Sequence, residues 1–210
     1  MKLPELPISD VLDDITASLN DHHDLLIEAP PGAGKTTLVP LVLMDQEWLG
    51  YRKIIMLEPR RLAAKTAAHR MASLIGESPG QTIGYRMRLE TRVSKYTKVE
   101  VVTEGVFARM LQSDPALQDV GLVIFDEFHE RHLDSDMALA TCLKMREIFR
   151  DEDPLRLIVM SATLDTQRLV ELLDAPVVRS EGRLHPVDII HGKASQPRDR
   201  IVDRVVETTL

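Results

Sequence analysis

The sequence predicts an α/β fold three layers deep, with a mainly parallel central sheet between two layers of helices. Three features predict it. Apolar runs of strand length alternate with stretches of helical periodicity along most of the chain. One run, Leu122-Val123-Ile124-Phe125, is apolar at every position, as a strand covered on both faces requires. A glycine-rich turn at residues 29–37 sits where an apolar run gives way to helical spacing.

The elements follow in order. Ser9 is placed to cap a helix reaching about Leu19. Leu25-Leu26-Ile27 reads as a short buried strand stopped by Pro30-Pro31, and a helix opens at Lys35. Lys53 to Leu57 is a second strand, after which Ala63, Ala67, Met71 and Ile75 recur at helical spacing until Gly76. Val99, Val101 and Val102 mark another strand, and Val106, Phe107, Met110 and Leu111 a helical face. Beyond Phe125 come a helix over roughly 135–149, a strand from Leu155 to Met160 and a helix from about Asp165 to Leu173. The character changes after about Val178. Gly182-Arg183-Leu184-His185-Pro186 reads as a connector, with a short strand at Val187–Ile190 and a polar helical stretch to Leu210. The expected division is therefore one domain over 1–180, then a connector and the start of a truncated second lobe over 181–210.

Composition narrows the function. A net charge of −7 argues against a surface that grips nucleic acid everywhere, although Arg60, Arg61, Lys65 and Arg70 cluster, as do Arg86, Arg88, Arg92, Lys95 and Lys98. No apolar run approaches the roughly 20 residues that span a bilayer. The N-terminus has no signal-peptide core, so neither membrane insertion nor secretion is expected. The single cysteine, Cys142, permits no intrachain disulfide and points to the cytoplasm; its helical stripe with Ala138, Met145 and Phe149 marks it as a packing residue. His22, His23 and His132 lack metal-ligand spacing, and Trp48 reads as packing near a helix end.

Two motifs carry chemistry outright. In Pro31-Gly32-Ala33-Gly34-Lys35-Thr36-Thr37, glycines let successive backbone amides face phosphate oxygens, and a helix N-terminus adds its positive end. Lys35 can reach β- and γ-phosphates, and the Thr36 hydroxyl can ligate Mg²⁺. The first position of the usual phosphate loop is Ala29 where glycine is common, which is tolerable if Ala29 keeps ordinary backbone angles. Asp126 and Glu127 end the buried run at 122–125, where open α/β sheets place ligands. Asp126 is the second Mg²⁺ candidate, Glu127 orients and polarises an attacking water, and His129 lies beside them. Lys35, Glu127 and His129 are thus the catalytic candidates, with ATP and Mg²⁺ the expected ligands. Ser161-Ala162-Thr163 ends another apolar strand; alone, such residues commonly cap a following helix.

The ordered set Gly-Ala-Gly-Lys-Thr-Thr, Glu-Pro-Arg-Arg, Thr-Glu-Gly, Asp-Glu-Phe-His and Ser-Ala-Thr resembles the DEAH-box branch of superfamily 2 helicases, bacterial HrpB-type helicases above all, over about residues 10–190. Phe128 departs from that branch's usual alanine. The resemblance implies a P-loop NTPase fold of the RecA-like type and ATP-dependent remodelling of RNA. It implies that Pro59, Arg60, Arg61, Thr103, Glu104 and Gly105 hold the backbone of a single strand, of RNA or of DNA, without reading bases. It also implies that Ser161, Ala162 and Thr163 couple hydrolysis to strand movement. Arg86, Arg88 and Arg92 are left equally open to a solvated face or a strand contact. Such helicases close two similar lobes around ATP, and nothing after Ser180 resembles the second, so slow hydrolysis without processive unwinding is expected of these residues alone. Two other readings remain: a translocase that does not separate strands, and a nucleotide-gated module that recruits a partner. A different phosphate-loop motor fits the Asp-Glu-Phe-His and Ser-Ala-Thr pair poorly.

Overall fold

The structure, a computed structural model, describes residues 3–163 and 166–182. A 3-10 turn at Pro7–Val11 leads into α1 (Leu12–Asp21) and β1 (Asp24–Glu28), followed by α2 (Lys35–Leu43), β2 (Lys53–Leu57) and α3 (Arg61–Leu74). A hairpin of β3 (Ile83–Met87) and β4 (Glu90–Arg92) precedes β5 (Val99–Val102) and α4 (Glu104–Ser113). Next come β6 (Val120–Phe125), α5 (Leu133–Phe149), β7 (Arg156–Ser161), α6 (Thr166–Leu173) and β8 (Val177–Arg179).

The described residues form one eight-stranded sheet in the order β4-β3-β5-β2-β6-β7-β1-β8, parallel except where β4 pairs antiparallel with β3. Successive strand residues point to opposite faces, so each strand feeds two cores. Ile54, Met56, Leu122, Ile124, Ile158 and Met160 pack under α1, α2 and α3. Ile55, Leu57, Val123, Phe125, Leu157 and Val159 pack under α4, α5 and α6. That double burial is why β6 is buried at all six positions.

Three predictions change in detail. Ser9 does not cap α1: it lies inside the 3-10 turn, where its Oγ accepts from the Leu6 amide at 3.1 Å. The β3–β4 hairpin was not predicted. Its Arg86 is neutralised by the buried Glu100 of β5, at 2.6 Å, which removes that arginine from the free basic surface. The three-residue β8 was likewise not predicted; it lies inside the expected 1–180 domain and pairs with β1, and the Ser180 amide donates to Glu28 O at 2.8 Å. The strand expected at Val187–Ile190 and the helix beyond it lie outside the described residues. Cys142 is buried, and burial pushes its thiol up to about 12, as a packing role requires. Trp48 packs against the core beneath the Arg156 guanidinium, 4.4 Å from the ring centroid.

Candidate functional site

The strand order puts five loops side by side at the C-terminal edge of the sheet. They follow β1, β7, β6, β2 and β5, and they carry the phosphate loop, Ser161-Ala162-Thr163, Asp126-Glu127, Pro59-Arg60-Arg61 and Thr103-Glu104-Gly105. Sites on open parallel sheets form at this edge because helix N-termini converge there.

The phosphate loop is held before any ligand arrives. Gly32 and Gly34 adopt φ of 79° and 94°, which side chains resist, and a Cβ on Gly34 would stand 2.6 Å from Leu6 Cδ1. The N-terminal segment braces the loop from that side: the Ile8 amide donates to Ala33 O at 3.0 Å. Ala29 is absent from the positive-φ residues, so alanine is tolerated there, and its amide donates to Ser161 O at 3.0 Å. Lys35 then opens α2, with Thr36 and Thr37 in the first turn.

Across the cleft, the acidic pair meets these residues. Lys35 Nζ donates to Glu127 Oε1 at 3.1 Å, and Thr36 Oγ1 donates to Asp126 Oδ2 at 2.5 Å. Lys35 and Asp126 are both buried, with 3% of each exposed. Burial raises the Asp126 carboxyl, while the Lys35 charge and the Thr36 hydroxyl pull it back down. Glu127 occupies the left-handed region at φ 51°, a conformation costing about 1 kcal/mol or more in a residue with a side chain. Phe128 anchors the turn: it is buried and stands edge-on to Phe125, 6.2 Å between centroids, and Phe125 stands edge-on to Phe107 at 6.4 Å. The alanine usual here could not hold the turn in that way.

His129 Nδ1 accepts the Ala162 amide at 3.3 Å, which places the ring proton on Nε2. The same nitrogen lies 3.5 Å from Glu127 Oε2, a contact that would be an ion pair only with Nδ1 protonated. The amide is a fixed donor, so we read Nδ1 as acceptor and the Glu127 contact as proximity. Ser161 Oγ donates to Thr163 O at 2.5 Å. This loop therefore touches the phosphate loop through Ser161 and the acidic turn through Ala162.

A cavity of about 540 Å³ opens beside these groups, lined by Thr36, Glu58, Arg60, Arg70, Glu127 and His129. Glu58, which sequence reasoning missed, follows β2 directly, lies next to Asp126 and has one carboxyl oxygen, Oε2, without a hydrogen-bond partner. Burial first, then the Asp126 charge, raises it to about 9, so Glu58 is the protonated member of this pair. Its sequence signal was an acid closing an apolar strand, the same signal that marked Asp126. Arg70, read only as part of a basic run, lines the cavity from α3.

The strand-holding candidates lie at the next two loops. Arg60 is the N-cap of α3 and forms an ion pair with Glu130, while Arg61 Nη2 donates to Arg88 O at 3.2 Å. Pro59 lines the cavity between them and Glu58. Thr103 occupies the N-cap position of α4 without a side-chain cap, and Glu104 and Gly105 open its first turn, where amides have no acceptor within the helix. The Glu104 carboxylate accepts from Ser135 Oγ at 2.5 Å, which ties α4 to α5.

Comparison with known proteins agrees with this arrangement. The family model described as DEAD/DEAH box helicase matches residues 11–172. The chain is 51% identical over 187 residues to the ATP-dependent RNA helicase HrpB of Escherichia coli K12, covering 89% of this chain and 23% of that protein. It is 35% identical over 188 residues to the ATP-dependent RNA helicase HrpA of Borreliella burgdorferi, covering 89% of this chain and 22% of that one. A crystal structure of Escherichia coli DEAH/RHA helicase HrpB superposes with a TM-score of 0.88 at 48% identity, over 98% of this chain and 26% of that chain. The chain thus spans about a quarter of the length of the relatives it matches. With the phosphate loop, the acidic turn and the matched fold in agreement, the chain belongs to the DEAD/DEAH box helicase family.

Proposed function

We propose that this chain is the first, RecA-like lobe of an ATP-dependent RNA helicase, which binds ATP with Mg²⁺ and couples its hydrolysis to movement along a single strand. One observation carries the reading. Residues 35 and 36 meet residues 127 and 126 directly, at 3.1 and 2.5 Å, at the edge of a parallel sheet.

The donor set suits a hard divalent cation. A hydroxyl and a carboxylate, Thr36 Oγ1 and Asp126, are already in contact, and both are oxygen donors of the kind such a cation takes. Thr36 and Asp126 would hold Mg²⁺, which when bound neutralises charge on the β- and γ-phosphate oxygens. The amides of residues 32–37 cradle the phosphates. On nucleotide binding the Lys35 ammonium transfers from Glu127 to the phosphates, which frees the Glu127 carboxylate to accept a proton from the attacking water. His129 carries the state of that turn to Ala162 through its Nδ1 contact, so Ser161, Ala162 and Thr163 are the coupling segment. Arg60, Arg61 and the first turn of α4 (Thr103, Glu104, Gly105) hold the strand by its phosphates. Glu104 serves by fixing that turn, since a carboxylate repels phosphate.

A second RecA-like lobe supplies the arginines that stabilise the transferred phosphoryl group, and without them turnover falls by about 10³–10⁵-fold. A single buried cysteine agrees with a cytoplasmic setting. ATP turnover by the 210-residue chain, with and without matched single-stranded RNA and DNA, tests the reading. Slow turnover with tighter binding of RNA is expected. Equal binding of DNA favours a general translocase, and robust unwinding by this chain alone would overturn the two-lobe assignment.

A further inference from the structure

We propose that Glu130 is an intramolecular competitor for the strand: its carboxylate occupies Arg60 in the resting protein and yields the guanidinium to an incoming phosphate. This regulates the strand site described above and rests on Arg60 belonging to it.

Glu130 closes the 3-10 turn Phe128–Glu130 that follows Glu127, and its amide donates to Glu127 O at 3.0 Å. Its carboxylate joins two side chains. One oxygen accepts from Arg60 Nη2, and the other lies 3.0 Å from His132 Nε2. The Arg60 side chain is 68% exposed, whereas that of Glu130 is 19% exposed. The guanidinium can therefore swing toward solvent while the carboxylate stays. Arg61 differs: among the described residues its guanidinium contacts only a carbonyl, so its charge already faces outward.

An exchange of partners is physically cheap here. A carboxylate and a phosphate offer a guanidinium the same bidentate geometry, so one replaces the other without a change in fold. Glu130 keeps His132 and access to water after Arg60 leaves, so no buried charge is stranded. Because Glu130 and Glu127 belong to one short turn, the strand's arrival is felt directly beside the water-orienting carboxylate. An exposed ion pair contributes little, so the competition is a modest brake on affinity.

The test is fluorescence anisotropy of a labelled oligouridine titrated with the 210-residue chain. Glu130→Gln should bind about two- to fivefold more tightly than the wild type, the gain expected from removing one exposed ion pair. Arg60→Ala should bind more weakly and lower the salt dependence by about 0.7 in the log–log slope. In the Arg60→Ala background, Glu130→Gln should add nothing. Loss of binding in Arg60→Ala with no tightening in Glu130→Gln would overturn the competition and leave the strand site standing. Equal tightening by Glu130→Gln in both backgrounds would also overturn it, since removal of a negative charge alone would then explain the gain. Arg60→Ala without effect would sink the strand-site reading itself.

Discussion

Lys35→Ala isolates what the buried ammonium does. The Lys35 side chain is 4% exposed and is bound to Glu127 at 3.1 Å. Nucleotide binding exchanges that single partner for oxygens of two phosphates, a net gain of about one charge-assisted hydrogen bond. Such a bond is worth about 1.5–3 kcal/mol, so the variant should bind ATP about 10- to 150-fold more weakly. Stability should change little, because Glu127 is 29% exposed and water can replace its lost partner. Titration with a fluorescent ATP analogue in the presence of Mg²⁺ measures the affinity, and thermal unfolding checks the fold. A folded Lys35→Ala chain whose affinity falls by less than about threefold would show that the ammonium does not reach the phosphates.

Glu127→Gln should leave ATP affinity nearly intact and lower turnover by about 10²-fold or more, measured as phosphate release; normal turnover would remove Glu127 from the water-orienting role. Glu58 ties stability to pH. Its proton is held more tightly in the folded chain, with a pKa of about 9, than in the unfolded one, where a glutamate keeps its ordinary value of 4.5. The stability it contributes is therefore complete below the unfolded value and lost as pH rises toward 9. In metal-free protein, Glu58→Gln should flatten that loss, as denaturant melts between about pH 5 and pH 8 would read; parallel wild-type and variant curves would contradict a protonated Glu58. Gly84→Ala should loosen the β3–β4 hairpin, because the new Cβ would meet Arg92 O at 2.6 Å; unchanged amide exchange across Ile83–Arg92 would refute that close approach.

Much of this was legible because the sheet is parallel and doubly covered. Leu25–Ile27, Ile54–Leu57 and Leu122–Phe125 had to be apolar throughout, and each such strand announces the loop at its C-terminal end. Glycines at positions of φ 79° and 94° made the phosphate loop readable from residue type alone. What escaped depends on partners distant in sequence. β3 contains Gly84, a poor strand residue by itself, and its Arg86 pairs with a glutamate, Glu100, that lies buried on the neighbouring strand. β8 has three residues, too few for a period to show. Glu58 looked like an ordinary acid until the fold placed Asp126 beside it. Leu6 and Ile8 gave no sign that they brace Gly34 and Ala33. Phe128, by contrast, was visible as a departure from its family, and the edge-on contact with Phe125 explains it.

The most direct measurement is a crystal structure of this chain with a non-hydrolysable ATP analogue and Mn²⁺ in place of Mg²⁺, the metal located by its anomalous signal. The metal should lie about 2.1–2.2 Å from Thr36 Oγ1, with Asp126 as a direct or water-bridged ligand. Lys35 Nζ should have left Glu127 for the phosphates. A metal bound away from residues 36 and 126, or a Lys35–Glu127 pair still closed at 3.1 Å with the triphosphate outside it, would contradict the account.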